Sequence, residues 1–260
     1  MSDRAAAEST KEHTHILRVM LAVEDCVAYW RAPSEDFSRK KRGLAAFHGH
    51  WFGTKSEARV KTLMGDMALR FDAFPLGLAA IRTWQPPQTL APWLCHFHTQ
   101  LADPIYRKFT GEYLPKRINQ GYANVDREAV ARWVQDEWPG RWSASTCIKF
   151  GANMLSAASD AGLLKDKRDP RKLSRPRVPQ LALEYLLYLL KDTAIEGGIM
   201  ESAYIRSVAP DSETQRDAFR GLVNVRLEAH GEVQNFEWSY PDLATWADAQ
   251  ATAGSERAMQ

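Results

Sequence analysis

Three cysteines in 260 residues, Cys26, Cys95 and Cys147, are too few and too scattered for a disulfide framework, and no C-x-x-C pair exists to hold zinc. A reduced, cytoplasmic setting fits that usage. Long hydrophobic runs are also missing. The most apolar stretch, Leu181 to Leu190, is too short to span a bilayer and contains Glu184, so no membrane association is expected. The opening residues MSDRAAAESTKEHTH have no apolar segment of the secretory kind. Neither a phosphate-binding G-x-x-x-x-G-K, nor G-x-G-x-x-G, H-E-x-x-H or G-x-S-x-G occurs, and no carboxylate spacing singles out an acid/base pair. Catalytic residues, a metal and a cofactor are therefore not assigned, and a non-enzymatic protein is expected.

What is present is ordinary globular material, 45% hydrophobic and 25% charged, with a net charge of only +2. Nine tryptophans are more than average, and most fall in apolar periodic segments that suit a core. The expected fold is mainly α: a helical bundle followed by a winged-helix-like domain with little β. The expected divisions are a flexible tail over 1–14, a helical domain over 15–122, the winged-helix-like domain with a helical extension over 123–250, and a frayed end over 251–260.

Along the first half, His15 to Trp30 places Ile16, Val19, Met20, Val23 and Val27 on one helical face. Thr54-x-x-Glu57 resembles a capping box ahead of a helix reaching Phe71. Short helices follow over Leu76 to Trp84 and Leu90 to Leu101, and Asp103-Pro104 starts another through Ile118. The basic run Arg39 to Arg42 reads as a solvated charge cluster. Cys95, His96, His98 and Asp103 lie close together, but adjacent ligands on a helix diverge, and a structural role is the simpler reading.

Charge is concentrated in one place. From Asp126 the pattern is helix, Pro139-Gly140 turn, helix, basic loop, helix, with Asp126 and Ser143 as caps and Gly162 as the left-handed stop. Cys147, Phe150, Gly151, Met154, Leu155 and Ala158 share the buried face of the second helix, leaving Ser145, Lys149, Asn153 and Ser156 opposite. The loop from Lys165 to Arg177 carries Lys165, Lys167, Arg168, Arg171, Lys172, Arg175 and Arg177 against Asp166 and Asp169, a net +5, so the rest of the chain sums to −3. A helix-turn-helix with a basic wing presents one helix to a DNA major groove while the arm holds phosphates. Lys149 and Asn153 are able to pair with guanine and adenine edges. After the wing, Pro179 opens a leucine-rich helix, Ser212-x-x-Gln215 begins another that runs to His230, Val233 to Trp238 forms one strand, and Pro241-Asp242 starts a last helix.

Trp142-Ser143-x-Ser145-Thr146 with Phe150 and Ala161-Gly162-Leu163-Leu164, the earlier Asp103-Pro104-x-Tyr106-Arg107-x-Phe109, and the later Tyr185-Leu186-Leu187 resemble, in order and across Leu44 to Trp246, the BrxA family of bacterial BREX phage-defence systems. The resemblance implies a small, mostly helical accessory protein that binds double-stranded DNA beside other BREX components, including a methyltransferase and an ATPase. This chain is longer at both ends than typical members. Arg141 and Thr146, near the start of the second helix, would sit by the DNA backbone, since a helix N-terminus offers N–H groups to phosphate, and Ser145 belongs to the same expected contact surface. The competing readings are a protein-interaction adaptor and an RNA-binding protein.

Overall fold

The computed structural model describes residues 6–33, 39–230 and 233–258. It is mainly helical. The first half comprises α1 (Val23–Arg31), α2 (Arg39–His48), α3 (Glu57–Met67), α4 (Pro75–Trp84), α5 (Ala91–Ala102), α6 (Pro104–Lys108) and α7 (Leu114–Asn119), with π-turns over Ala68–Asp72 and Phe109–Tyr113. The second half holds α8 (Arg127–Glu137), α9 (Ala144–Asp160), α10 (Gln180–Lys191), α11 (Ala203–Val208), α12 (Ser212–Arg220) and α13 (Leu243–Ala258). Among the described residues strands come as three short pairs: β1 (Ala6–Ala7) parallel to β4 (Thr193–Ala194), β2 (Asn124–Val125) antiparallel to β3 (Arg171–Lys172), and the hairpin β5 (Val225–His230) with β6 (Val233–Trp238). Among the described residues no helix is long and apolar enough to cross a membrane.

One contiguous core runs from Ile16 to Ala247 through both halves. Helix α5, buried at every position but Pro92, lies within it. Its two histidines are fully satisfied: His98 Nδ1 lies 2.7 Å from the Arg70 carbonyl, so Nδ1 carries the proton and Nε2 accepts from the Tyr185 hydroxyl at 2.7 Å. His96 is held the same way, Nε2 donating to Ser207 Oγ at 3.0 Å and Nδ1 accepting from Tyr106 at 3.1 Å. Burial lowers both imidazoles, His96 to about 3 and His98 to about 4, so both are neutral. Neither nitrogen is available to a metal. Among the described residues no three His, Cys, Asp or Glu gather as a metal site.

Several expected elements differ, each for a long-range reason. The first helix is broken: a 3-10 turn over His15–Leu17 precedes α1, and Ala22 between them has φ 50°. The buried Arg70, paired with Asp66 at 2.7 Å, donates to the carbonyls of Val19, Met20 and Leu21, which a helix would have used internally. The cap of α3 is Ser56, not Thr54, and that of α12 is Asp211 with Thr214. Arg39 to Arg42 opens α2, where Arg42 pairs with Asp72 at 3.0 Å and lies over the Tyr29 ring.

The expected helix through His230 stops at Arg220 and a strand takes its place. The carboxylate of buried Glu184 on α10 accepts from the backbone of Val223 (2.8 Å) and Asn224 (3.0 Å), pulling the chain away from helical geometry. The expected tail over 1–14 is tied down wherever it is described. Beyond β1, Glu8 accepts from Tyr204 (2.6 Å) and Glu12 from Trp138 Nε1 (2.6 Å). The expected frayed end is helical, since α13 continues to Ala258. Residues 1–5 and 259–260 lie outside the described residues.

Candidate nucleic-acid interface

The helix-turn-helix begins at Asp126, whose carboxylate accepts from the Ala129 N–H at 2.7 Å and starts α8. The turn into α9 needs a positive φ, which Gly140 supplies at 71°. Trp133, Trp138, Trp142 and Phe150 then meet in sequence, the first two pairs edge-to-face and the last tilted, at centroid separations of 5.6, 5.5 and 4.8 Å, fixing the turn on the buried side. Ser143 Oγ caps α9 through the Thr146 N–H. Where the two helices cross, Gly151 touches the backbone of Arg127, and a Cβ there would collide with the Arg127 carbonyl.

After α9, Gly162 (φ 83°) turns the chain and Leu164 bridges Leu173. The segment between them is the wing. Its returning strand β3 pairs on its other side with β2, which precedes α8, giving the order strand, helix, helix, single bridge residue, wing, strand. The Asp169–Pro170 bond in the wing is cis, and Asp169 accepts from the Arg127 N–H.

The expected contact residues divide sharply. Ser145 and Lys149 are exposed on α9, with Ser145 Oγ 3.1 Å from Ser143 Oγ. Lys165, Lys167 and Arg168 are exposed on the wing, and Lys167 approaches a carboxylate, Asp160 at 3.9 Å. Lys172 is exposed on the open face of β3, and Arg177 is exposed further on. Thr146 is half-buried, its hydroxyl 3.0 Å from Ser143 Oγ. Arg141 is ion-paired with Glu12 and lies 4.8 Å over the Trp142 ring. Arg175 pairs with Asp211 at 2.7 Å.

Two residues are corrected. Arg171 is not a surface cation: only 7% exposed, it donates to the Leu155 carbonyl (2.8 Å), Ser159 Oγ (2.6 Å) and Ser156 Oγ (3.1 Å). It is the pin that fastens the wing to α9. Asn153 is half-buried, and its amide donates to the Ile16 carbonyl at 3.1 Å, so it faces the N-terminal segment and not a groove.

Ser145, Lys149, Ala152, Ser156 and Ser159 recur at helical spacing and are all at least partly accessible, one stripe down α9. Lys149 sits about 10 Å along the axis from Ser156, where Arg171 docks the wing. The sequence reading missed Ile148, 46% exposed beside Lys149. Its phase was the available signal, one residue off the buried stripe that Cys147 begins.

The fold defines a mainly helical protein with small sheets, in which the α8–α9 pair is followed by a basic loop and the short strand β3. No protein-family model and no curated protein matches the chain. Its fold is similar to that in the crystal structure of an uncharacterized protein from Magnetospirillum magneticum, with a TM-score of 0.56 and 13% sequence identity over 77% of this chain and 99% of that one. At that identity the likeness is one of fold alone.

Proposed function

We propose that this protein is a non-enzymatic double-stranded DNA-binding accessory component of a BREX-type phage-defence system, acting in the cytoplasm. The single observation that supports the reading most is the accessible stripe of α9 leading from Lys149 to a wing whose Lys165, Lys167 and Arg168 point into solvent. A duplex major groove, about 12 Å wide, admits a helix of this kind, and the cations beside it would neutralise phosphates. Ile148 offers an apolar contact of the type made to thymine methyls. A methyltransferase and an ATPase are the protein partners that the family resemblance implies.

Gel retardation of a duplex tests the reading. With four or five cations engaged, log affinity should fall against log salt with a slope of about −4. The Lys165→Glu, Lys167→Glu, Arg168→Glu triple variant should lose retardation while keeping its thermal melt, and Lys149→Glu should weaken it. Wild-type affinity in the triple variant would overturn the proposal. Tighter binding to an RNA hairpin than to duplex DNA would replace it with the RNA reading.

A further inference from the structure

A second surface lies on the C-terminal extension, where α12 meets the start of β5. On the polar face of α12, Glu213 and Asp217 adjoin Arg216 and Arg220 at i,i+3 spacing, and the two pairs line different cavities. Glu213 and Asp217 line a cavity shared with Arg175 and Arg177, so the acidic pair faces cations of this same chain. Arg216 and Arg220, all but opposite in charge role, line a different hollow of about 430 Å³ together with Arg226. Among the described residues no carboxylate lines that hollow. Arg226 approaches an acid only loosely, Glu237 at 3.8 Å, with both side chains well exposed.

The floor of the hollow is apolar. Phe219 and Val225 are buried, Leu222 and Leu227 are half-buried, and Val223 is 79% exposed, the most exposed large apolar side chain among the described residues. Val223 does not stand out through slackness. Glu184 accepts from its N–H at 2.8 Å and from both the backbone (3.0 Å) and the side chain (2.7 Å) of Asn224, and Trp246 Nε1 donates to the same carboxylate at 3.2 Å. A buried carboxylate thus fixes the backbone that holds a valine in water. Preorganised apolar contact ringed by cations is what a docking site for an acidic chain requires.

We infer that the hollow formed by Arg216, Arg220, Arg226 and Val223 is a docking site for an acidic segment of a partner protein, one that sets leucine- or phenylalanine-like side chains among carboxylates. Charge complementarity selects that occupant, because Arg216, Arg220 and Arg226 line the hollow and, among the described residues, no acid does. A nucleic-acid backbone would satisfy the arginines and leave Val223 and Leu222 without a partner. The inference is independent of DNA binding by α9 and the wing.

The test uses the full chain and fluorescein-labelled short peptides in which leucine or phenylalanine is flanked by Asp and Glu, read by anisotropy. The same peptides with Asn and Gln in place of the acids are the controls. The acidic set should bind in the micromolar range and the amide set should not. Arg216→Glu with Arg220→Glu should weaken binding about tenfold or more, and Val223→Ser about threefold, with duplex DNA affinity unchanged in both. Val223 is exposed and is clamped only through its backbone, so Val223→Ser leaves the fold intact. Four outcomes would overturn the inference: no acidic peptide binds, the amide peptides bind equally well, the arginine variants lose duplex DNA, or Val223→Ser dissolves a self-associated form in sedimentation.

Discussion

Replacing Arg171 by alanine separates a cation that holds the wing from cations that would hold DNA. The side chain is 7% exposed and makes three hydrogen bonds to α9, one to a carbonyl and two to serine hydroxyls, besides its contact with Asp169. Hydrogen bonds to a charged group contribute about 1.5–3 kcal/mol each when isolated, and a fork shared by one guanidinium falls well short of their sum. We expect a loss of about 3 kcal/mol. For a chain of this size that lowers the melting temperature by roughly 6–12 °C. Lysine cannot reproduce the planar fork, so Arg171→Lys should recover less than half of the loss.

Arg168→Ala should leave the melt within about 0.5 kcal/mol of wild type, since Arg168 is exposed and makes no ion pair among those described. The assay is a circular dichroism melt paired with DNA titrations well below the transition. There, folded Arg171→Ala should keep the wild-type salt slope. An unchanged melt together with a slope reduced by about one would mean that Arg171 contacts phosphate, and the assignment of its role would be wrong.

Acid should destabilise the protein through its buried imidazoles. His96 and His98, at about 3 and 4 when folded and 6.5 when unfolded, contribute stability that is present above pH 6.5 and lost as pH falls toward 4, about 2 kcal/mol each by pH 5. Asp66, raised by burial to about 6, acts in the opposite sense and returns about 1.4 kcal/mol over the same interval, while half-buried His15, lowered to about 4, adds to the loss, so urea midpoints should show a net loss of at least about 2 kcal/mol between pH 7 and pH 5. A flat profile would contradict the neutral, buried assignment. Gly151→Ala should cost about 1–3 kcal/mol, because its Cβ meets the Arg127 backbone at the α8–α9 crossing. Gly254→Ala, with nothing within 4 Å, should be neutral or stabilising, and equal melts for the two would refute the packing argument.

The features legible in the sequence were those fixed within a few residues. Asp126, Ser143 and Asp103 cap the helices they were expected to cap, and Gly162 adopts the left-handed turn. The buried face of α9, from Cys147 to Ala158, has the expected phase. What misled were side chains whose partners lie far along the chain. Nothing near residues 18–22 announces that Arg70 will take three of their carbonyls, and nothing near Val223 announces Glu184. A run of Lys and Arg likewise does not reveal which member points inward. Alternation along β3 turns Arg171 to α9 and leaves Lys172 outside.

The parallel pairing of Ala6–Ala7 with Thr193–Ala194 has a consequence for the order of assembly. During synthesis at about 5–20 residues per second, the earliest described strand must wait roughly ten to forty seconds for its mate to emerge. Until then Glu8 has neither the Tyr204 hydroxyl nor the Glu196 amide to receive. The α8–α9 pair, whose contacts are local, can form in that interval, whereas the pairing of β1 with β4 must await the synthesis of residue 194.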